Sequence, residues 1–466
     1  MKKNILFPIE TITRELDYKL LLAGMFVNKD KNIYIGQHDY LYSISKYMIG
    51  GLYLGKNMFL RKSSGDWVNR HSELKNRGFS MVHLDEEGAV YWGEEEEWKR
   101  RLSRRLNINL IDDDFMCTWG NFQKSYYQDV IKDNDKKIIT TGQPRFELLR
   151  KKYNTFFNDE VEEIKKKYGD FILVSTAFQW FNNAFGNADT FSQRSQLGYD
   201  VTNDVSRKRY IGNWSYSGKT FADYVKMVTY ISIKFPSLNI IVRPHPSEDI
   251  DFYNHAFSGV NNVYIVREKS VMPWILSTKL LIADSCTTAI EGYIAETPVI
   301  IFQPNDDQEH DMFLPSLTGI KSRTIDDVIS NVELILSGEI QKVPNLSENK
   351  RALGLLNNLN DTEDAFENVL LVLLNVENIG LDLPNKFSKA WFNIYRAKHK
   401  FLDISKKTVR FLFKEKYRAY IAYKSTFPGF DKNEISKKIK NIEQITNKKI
   451  NCKFVNENLI ILTKVK

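Results

Sequence analysis

The sequence predicts an α/β protein built from two Rossmann-like domains whose parallel sheets face a cleft, followed by a basic C-terminal extension. Three observations carry this. The chain has 466 residues, too many for one ordinary core. Two separate stretches alternate short apolar runs with helical patterns, the grammar of a parallel sheet covered by helices. The runs of the second stretch are apolar almost without interruption, as strands buried on both faces must be.

In the first domain, residues 1–150, the apolar runs are Ile5–Phe7, Ile33–Ile35, Met58–Leu60, Met81–Val82, Phe115–Cys117 and Ile138–Ile139. Arg14–Ala23 is the clearest helical pattern between them. Residues 151–169 are charged, helical in period and read as a connector. In the second domain, residues 170–345, the runs are Phe171–Ser175, Ile240–Val242, Val263–Val266, Leu280–Ala283 and Val299–Phe302. Residues 346–385 read as a closing helical segment, with its pattern over 361–376. Residues 386–466 are the extension, mixing basic and aromatic side chains such as Trp391, Tyr395, Arg396, Phe411 and Lys414. No repeat of solenoid length is evident.

With 42% apolar and 27% charged residues the chain is a folded globular protein. No apolar stretch is long enough to span a membrane, and the opening Met1-Lys2-Lys3-Asn4-Ile5-Leu6-Phe7-Pro8 is too short for a signal peptide. A cytoplasmic location is therefore expected. Cys117, Cys286 and Cys452 are scattered, which supports neither a disulfide framework nor a structural zinc site. The net charge of +8 hides a split: residues 386–466 carry 21 Lys/Arg against 6 Asp/Glu, and the rest of the chain is acidic.

Three constellations carry chemistry. In Ile240-Ile241-Val242-Arg243-Pro244-His245-Pro246-Ser247 a buried strand stops in a cation and an imidazole, and the prolines fix the turn. Arg243 can fork onto phosphate oxygens, and His245 can donate to a leaving phosphate; a rigid capped turn is the plainer reading. In Leu280–Gly292 a strand, a hydroxyl-rich turn and a helix follow each other. Ser285, Thr287 and Thr288 can cap that helix, its start favours a phosphate, and Glu291 lies on the same face to take ribose hydroxyls. Third, Asp85-Glu86-Glu87-Gly88 follows a strand and should expose at least one acid, as glycosyl transfer requires of its nucleophile or base. Glu94–Glu97 reads as a solvated acidic loop.

Arg145, in Thr141-Gly142-Gln143-Pro144-Arg145-Phe146, can meet an anionic ligand or pair with a carboxylate. Asp112-Asp113-Asp114 precedes a strand and reads as a solvated turn. Walker A and clean GxGxxG patterns are absent, which argues against NTPase and NAD chemistry, and the histidines lack metal-ligand spacing such as HExxH, which argues against a tightly bound metal.

These residues resemble bacterial surface carbohydrate biosynthesis proteins, a group similar to the retaining Kdo transferases and to nonulosonic-acid transferases. The resemblance rests on Arg14-Glu15-Leu16-Asp17, Asp85–Gly88, Gly142–Phe146, Arg243–Pro246, Pro273-Trp274 and Ser285 through Glu291. It implies a GT-B fold and a CMP-activated donor, Kdo or a nonulosonic acid such as legionaminic or pseudaminic acid. It also implies a lipid-linked or oligosaccharide acceptor, and no cofactor or metal. On it, His245, Ser285, Thr287 and Thr288 face the CMP phosphate and Glu291 the ribose. Asp85, Glu86 and Glu87 face the anomeric carbon, and Arg14, Arg145, Arg243 and Pro246 complete the binding surface. Glu147 departs from a pattern that often shows Asp. Polyol-phosphate transfer, UDP-sugar 2-epimerisation and a non-catalytic assembly role are the alternatives. The basic extension suits an anionic inner-membrane surface better than nucleic acid, since no nucleic-acid module accompanies it.

Overall fold

The computed structural model describes residues 3–55, 66–103, 114–131, 137–191, 200–284, 286–305, 309–310, 312–340, 344–379, 386–387, 390–398, 424 and 426–465. The chain forms two compact units, one of Met1–Ala89, Lys99–Phe156 and Asn349–Lys466, the other of Val90–Trp98 and Phe157–Glu348. Both are α/β units with parallel sheets, the fold class that the βα alternation predicts.

The first unit holds β1 (Lys3–Ile9), β2 (Lys31–Gln37), β3 (Met48–Ile49), β4 (Gly51–Gly55), β5 (Phe79–Leu84), β6 (Phe115–Thr118) and β7 (Ile138–Thr140). Six of them pair in parallel in the order β2-β1-β4-β5-β6-β7. Their side chains are almost all buried because helices cover both faces. The strand between β1 and β5 is Gly51–Gly55; Met58–Leu60, read as a strand from sequence, lies outside the described residues. Gly51 has φ +146°, and a Cβ there would meet the Asn4 carbonyl at 2.3 Å, so a side chain would force β1 and β4 apart.

The C-terminal extension is a structural layer of this unit. β15 (Ile450–Asn456) and β16 (Leu459–Lys464) form a hairpin, and β16 pairs antiparallel with β2, setting Leu462 opposite Ile33 and Ile460 opposite Ile35. The helix Lys432–Thr446 buries Ile435, Ile439 and Ile442, and Ile442 lies on Gly24 of the helix Ile12–Phe26. Between those helices Lys438 Nζ meets Asp17 Oδ1 at 2.9 Å, both side chains under 10% exposed. The compact unit that holds the N-terminal strands takes in the described residues of Asn349–Lys466, which the sequence reading sets apart as 346–385 and 386–466. β14 (Lys386–Phe387) likewise pairs with β3.

The second unit holds β8 (Phe171–Ser175), β9 (Asn239–Arg243), β10 (Val263–Ile265), β11 (Leu280–Ala283), β12 (Val299–Phe302) and β13 (Ile320–Ser322), all parallel, in the order β10-β9-β8-β11-β12-β13. Strand order reverses between β8 and β11, and a sheet of this kind binds ligands outside its carboxyl edge at such a reversal. The crossover from β8 to β9 contains a 31-residue helix, Asp204–Lys234. Its second half packs Phe221, Tyr224, Met227, Val228 and Ile231 into the core.

Candidate functional site

In the second unit, β9 delivers Arg243 to the carboxyl edge of the sheet. Its side chain is 8% exposed. Nη2 donates to the Lys269 carbonyl at 2.5 Å, and among the described residues Nη1 has no hydrogen-bond partner. Burial pulls the guanidinium down to about 10, against which Glu268 and Glu291 act. A buried cation with a free donor is costly unless an anion completes it. Arg243 also lies over the Trp274 ring at 5.6 Å.

The turn after Arg243 is held by Glu248, a fully buried carboxylate that sequence reasoning passed over. It accepts from the His245 backbone N–H at 2.9 Å, from Thr176 Oγ1 at 2.8 Å and from Tyr253 Oη at 2.6 Å. Burial raises its pKa. Nδ1 of His245 accepts the Ser247 N–H at 3.2 Å, which puts the proton of the neutral ring on Nε2 and makes that atom a donor. Pro246 is an exposed turn residue whose carbonyl receives Arg267 Nη1 at 3.4 Å.

The helix Thr287–Ile294 differs from the expected capped start. Its cap residue is Cys286, and no side-chain cap hydrogen bond forms. Thr287 and Thr288 sit in the first turn, half-buried, and Ser285 lies outside the described residues. Burial and then Asp284 push the Cys286 thiol up to about 11, so it stays neutral. Among the described residues this helix start has no hydroxyl or carboxylate cap, and the Cys286 sulfur lies against the Thr288 and Ala289 N–H groups; a helix start of this kind favours an anion. Glu291 is buried on the same helix, within electrostatic reach of Arg243. The structure thus gathers Arg243 and Glu291 at the sheet edge, with His245 on the same β9 turn and the two threonines on the Glu291 helix.

In the first unit the acidic segment ends β5. Asp85 and Glu86 are buried, and Glu87 is exposed and paired with Arg14 Nη1 at 3.1 Å. Glu86 accepts from Tyr18 Oη and from Gln143 Nε2 at 3.5 Å, and faces Lys19 Nζ at 3.7 Å. Burial and the charge of Glu86 hold the Tyr18 hydroxyl well above its usual value, so it remains a donor. Lys19 is itself buried, bonded to Glu15 Oε2 at 2.7 Å and to the Pro8 carbonyl at 2.6 Å. A carboxylate engaged this way has its charge spread over fixed donors. Asp85 Oδ1 accepts the Glu87 N–H at 3.2 Å. Its carbonyl accepts Trp119 Nε1 at 2.7 Å and Gln143 Nε2 at 2.9 Å. Gly88 lies against the Trp119 indole, where a Cβ would come within 2.3 Å. Arg145 is buried, 5.0 Å from the Phe146 ring centre.

Gln143 is held by Asn358, 215 residues away in sequence: Asn358 Oδ1 accepts the Gln143 N–H at 2.8 Å, and Nδ2 donates to the Gln143 carbonyl at 3.1 Å and to Glu147. Burial raises Glu147 from 4.5 to about 7, with Arg150 opposing and Asp364 adding to the rise. Between those two pH values the folded form holds the proton more tightly than the unfolded chain. Stability from this group is therefore complete at low pH and is lost as pH rises through about 7. Replacing Glu147 by Gln should remove that slope, a difference of roughly 3 kcal/mol between acid and neutral pH. Urea unfolding at both ends of the window checks it, and parallel curves for the two proteins would refute it.

Asp114, read from sequence as part of a solvated turn, is fully buried and bonded to His71 Nε2 at 3.0 Å and Lys75 Nζ at 2.7 Å. Asp112 and Asp113 lie outside the described residues. Glu95, Glu96 and Glu97 open a helix, Glu95–Ser103, rather than a loop. Among the described residues no group of three His, Cys, Asp or Glu side chains is arranged to hold a metal.

No protein-family model matches the chain. No curated protein matches it in sequence. Among solved structures it is similar to the UDP-GlcNAc 2-epimerase of Methanocaldococcus jannaschii in complex with UDP-GlcNAc and UDP, at 13% identity and a TM-score of 0.45 over 80% of this chain and 100% of that one. S. aureus MnaA with UDP gives 11%, 0.45, 83% and 100%. The wall teichoic acid polymerase TagF gives 11%, 0.43, 80% and 89%. At these identities no residue role passes from them to this chain.

Proposed function

We propose that the chain is a glycosyltransferase that moves a CMP-activated ulosonic acid, Kdo or a nonulosonic acid, onto a surface polysaccharide acceptor with retention of configuration. The observation that carries this is the buried Arg243 guanidinium at the carboxyl edge of β9, the strand next to the β8 side of the reversal, with Nη1 unpartnered among the described residues and Glu291 within electrostatic reach. In the reading, Arg243, the His245 Nε2–H and the N–H groups at Thr287 and Thr288 take the phosphate charge, and Glu291 takes the ribose hydroxyls. Asp85 or Glu87 attacks the anomeric carbon, the bond to the phosphate oxygen breaks and CMP departs. The acceptor hydroxyl then displaces the carboxylate, and its proton passes to the released carboxylate and from there to solvent. Glu86 and Gln143 hold the acidic segment in place, and Arg14 balances Glu87.

Calorimetric titration with CMP, CDP and UDP tests the donor: CMP should bind, and strong UDP binding without CMP binding would point to 2-epimerisation instead. Mass spectrometry of the product separates a phosphotransferase, which alone leaves phosphorus in the linkage.

We further propose that the protein works against an anionic membrane surface through residues 386–466, where lipid-linked acceptors lie. Among the described residues no helix is long and apolar enough to cross a membrane. The described part that supports surface contact is the helical segment 390–398, which exposes Trp391 (58%) and Ile394 (57%) beside exposed Arg396 and Lys398. Its Phe392 is buried in the first unit's core.

A further inference from the structure

The first half of the helix Asp204–Lys234 does not bury an apolar face. Its inward positions are Tyr210, Asn213, Ser217 and Thr220, and only beyond them does the core of Phe221, Tyr224 and Val228 begin. Around Asn213 five aromatic rings form a closed circuit. Tyr210 meets Trp180 at 5.2 Å between ring centres, Trp180 meets Trp92 at 6.2 Å, and Trp92 meets His310 at 6.3 Å. His310 stacks on Tyr216 at 4.7 Å, which returns the circuit to the helix. Trp92, Trp180, His310 and Tyr216 are partly exposed, so the circuit is reachable from solvent.

Asn213 and Ser217, one turn apart, are 5% and 6% exposed. Asn213 Oδ1 bonds His310 Nε2 at 2.8 Å, but among the described residues Asn213 Nδ2 and Ser217 Oγ have no hydrogen-bond partner. Leaving a buried polar atom unpaired costs about 1–3 kcal/mol. Two such atoms beside one aromatic circuit, at the carboxyl edge of a sheet, indicate that something other than the protein completes them. The chemistry is specific: flat apolar faces, an amide donor and a hydroxyl, with no Lys, Arg, Asp or Glu among the circuit and the two polar positions. It suits an uncharged hydroxylated ring, whose C–H faces lie on indole while its hydroxyls reach the amide and the serine.

We infer that this circuit is a subsite for a neutral pyranose ring. Resting on the proposed function, the ring is the acceptor's sugar and not the donor's, because an ulosonic acid carries a carboxylate that these side chains leave without a counter-ion. The loop after β8 links the two sites. Its Thr176 holds Glu248 under the His245 turn, Asn182 exchanges bonds with Asp249 at 2.9 and 3.0 Å, and Trp180 lies between those two residues in the circuit.

The test is saturation-transfer NMR on the full chain with the methyl glycosides of glucose, galactose and N-acetylglucosamine, alone and with saturating CMP, for the native protein and Ser217→Ala. At least one glycoside should receive saturation on its ring protons, with or without CMP. Its affinity should fall about five- to tenfold in Ser217→Ala. Because that variant only deletes an unpaired buried hydroxyl, its melting temperature should be unchanged or higher. Silence from all three glycosides, unchanged affinity in the variant, or a lowered melting temperature would overturn the inference. So would displacement of the glycoside by CMP, which would make the circuit a nucleobase pocket. Glycoside binding without CMP binding would leave it standing while the donor assignment falls.

Discussion

A chain ending at residue 423 should fail to fold its N-terminal unit, in spite of retaining every parallel strand of that unit's sheet. The lost segment supplies β16, which covers the β2 edge at four paired positions from Leu459 to Leu462. It also supplies Ile435, Ile439 and Ile442, which cover the helix Ile12–Phe26. Each buried isoleucine is worth about 1.5–3 kcal/mol, so three of them approach the whole stability of a typical domain, about 5–15 kcal/mol. The bared strand edge would in addition invite aggregation. A finer version of the experiment isolates the Asp17–Lys438 pair. Lys438→Met strands a buried carboxylate and should cost about 3–5 kcal/mol, whereas the double variant with Asp17→Leu should recover most of it. Urea unfolding measures both, and a single variant within 1 kcal/mol of the native protein would show the pair to be incidental. For the same reason truncation cannot probe the membrane reading. Trp391→Ser combined with Lys398→Glu touches only exposed side chains and should abolish flotation with anionic vesicles at unchanged melting temperature. Undiminished flotation would refute the membrane reading.

This prediction marks where the sequence is legible and where it is not. The strands Ile5–Phe7, Phe115–Cys117 and Ile240–Val242 stand out because burial on both faces demands unbroken apolar runs. Gly51-Leu52-Tyr53-Leu54-Gly55 does not stand out because its ends are glycines, required by close approach rather than by strand propensity. The hairpin 450–464 looks like a basic tail in sequence because it lies at the sheet edge, where one row of side chains faces water and can be Lys or Asn. The long crossover helix was obscure because half of its buried face is polar. At the site, Arg243, His245 and Glu291 were readable as local motifs. Their supports were not: Thr176 reaches Glu248 across 72 residues and Asn358 reaches Gln143 across 215. Lys19 alone left a trace, as a single cation within the apolar run Tyr18–Leu22 at helical spacing from Glu15.

Replacing Arg243 by Met should separate binding from folding. In the native chain the guanidinium is desolvated, holds one carbonyl and leaves Nη1 unused. Without a ligand its contribution to stability is therefore small, and a methionine of similar reach can pack on Trp274 in its place. Against that, Glu268 and Glu291 lose a neighbouring positive charge, so the variant should be tested alongside Arg243→Met/Glu291→Gln, which removes one of the two stranded acids. Phosphate recognition has no such compensation. A hydrogen bond to a charged group is worth about 1.5–3 kcal/mol, and its loss should weaken CMP about 10- to 150-fold in either variant. Arg243→Lys keeps the charge but not the fork that can reach a phosphate while holding the Lys269 carbonyl, so its CMP affinity should fall between native and Arg243→Met. Calorimetry with CMP and thermal unfolding of the same samples give both readings. CMP affinity within twofold of native in Arg243→Met would remove the arginine from the site, and with it the observation on which the nucleotide reading stands.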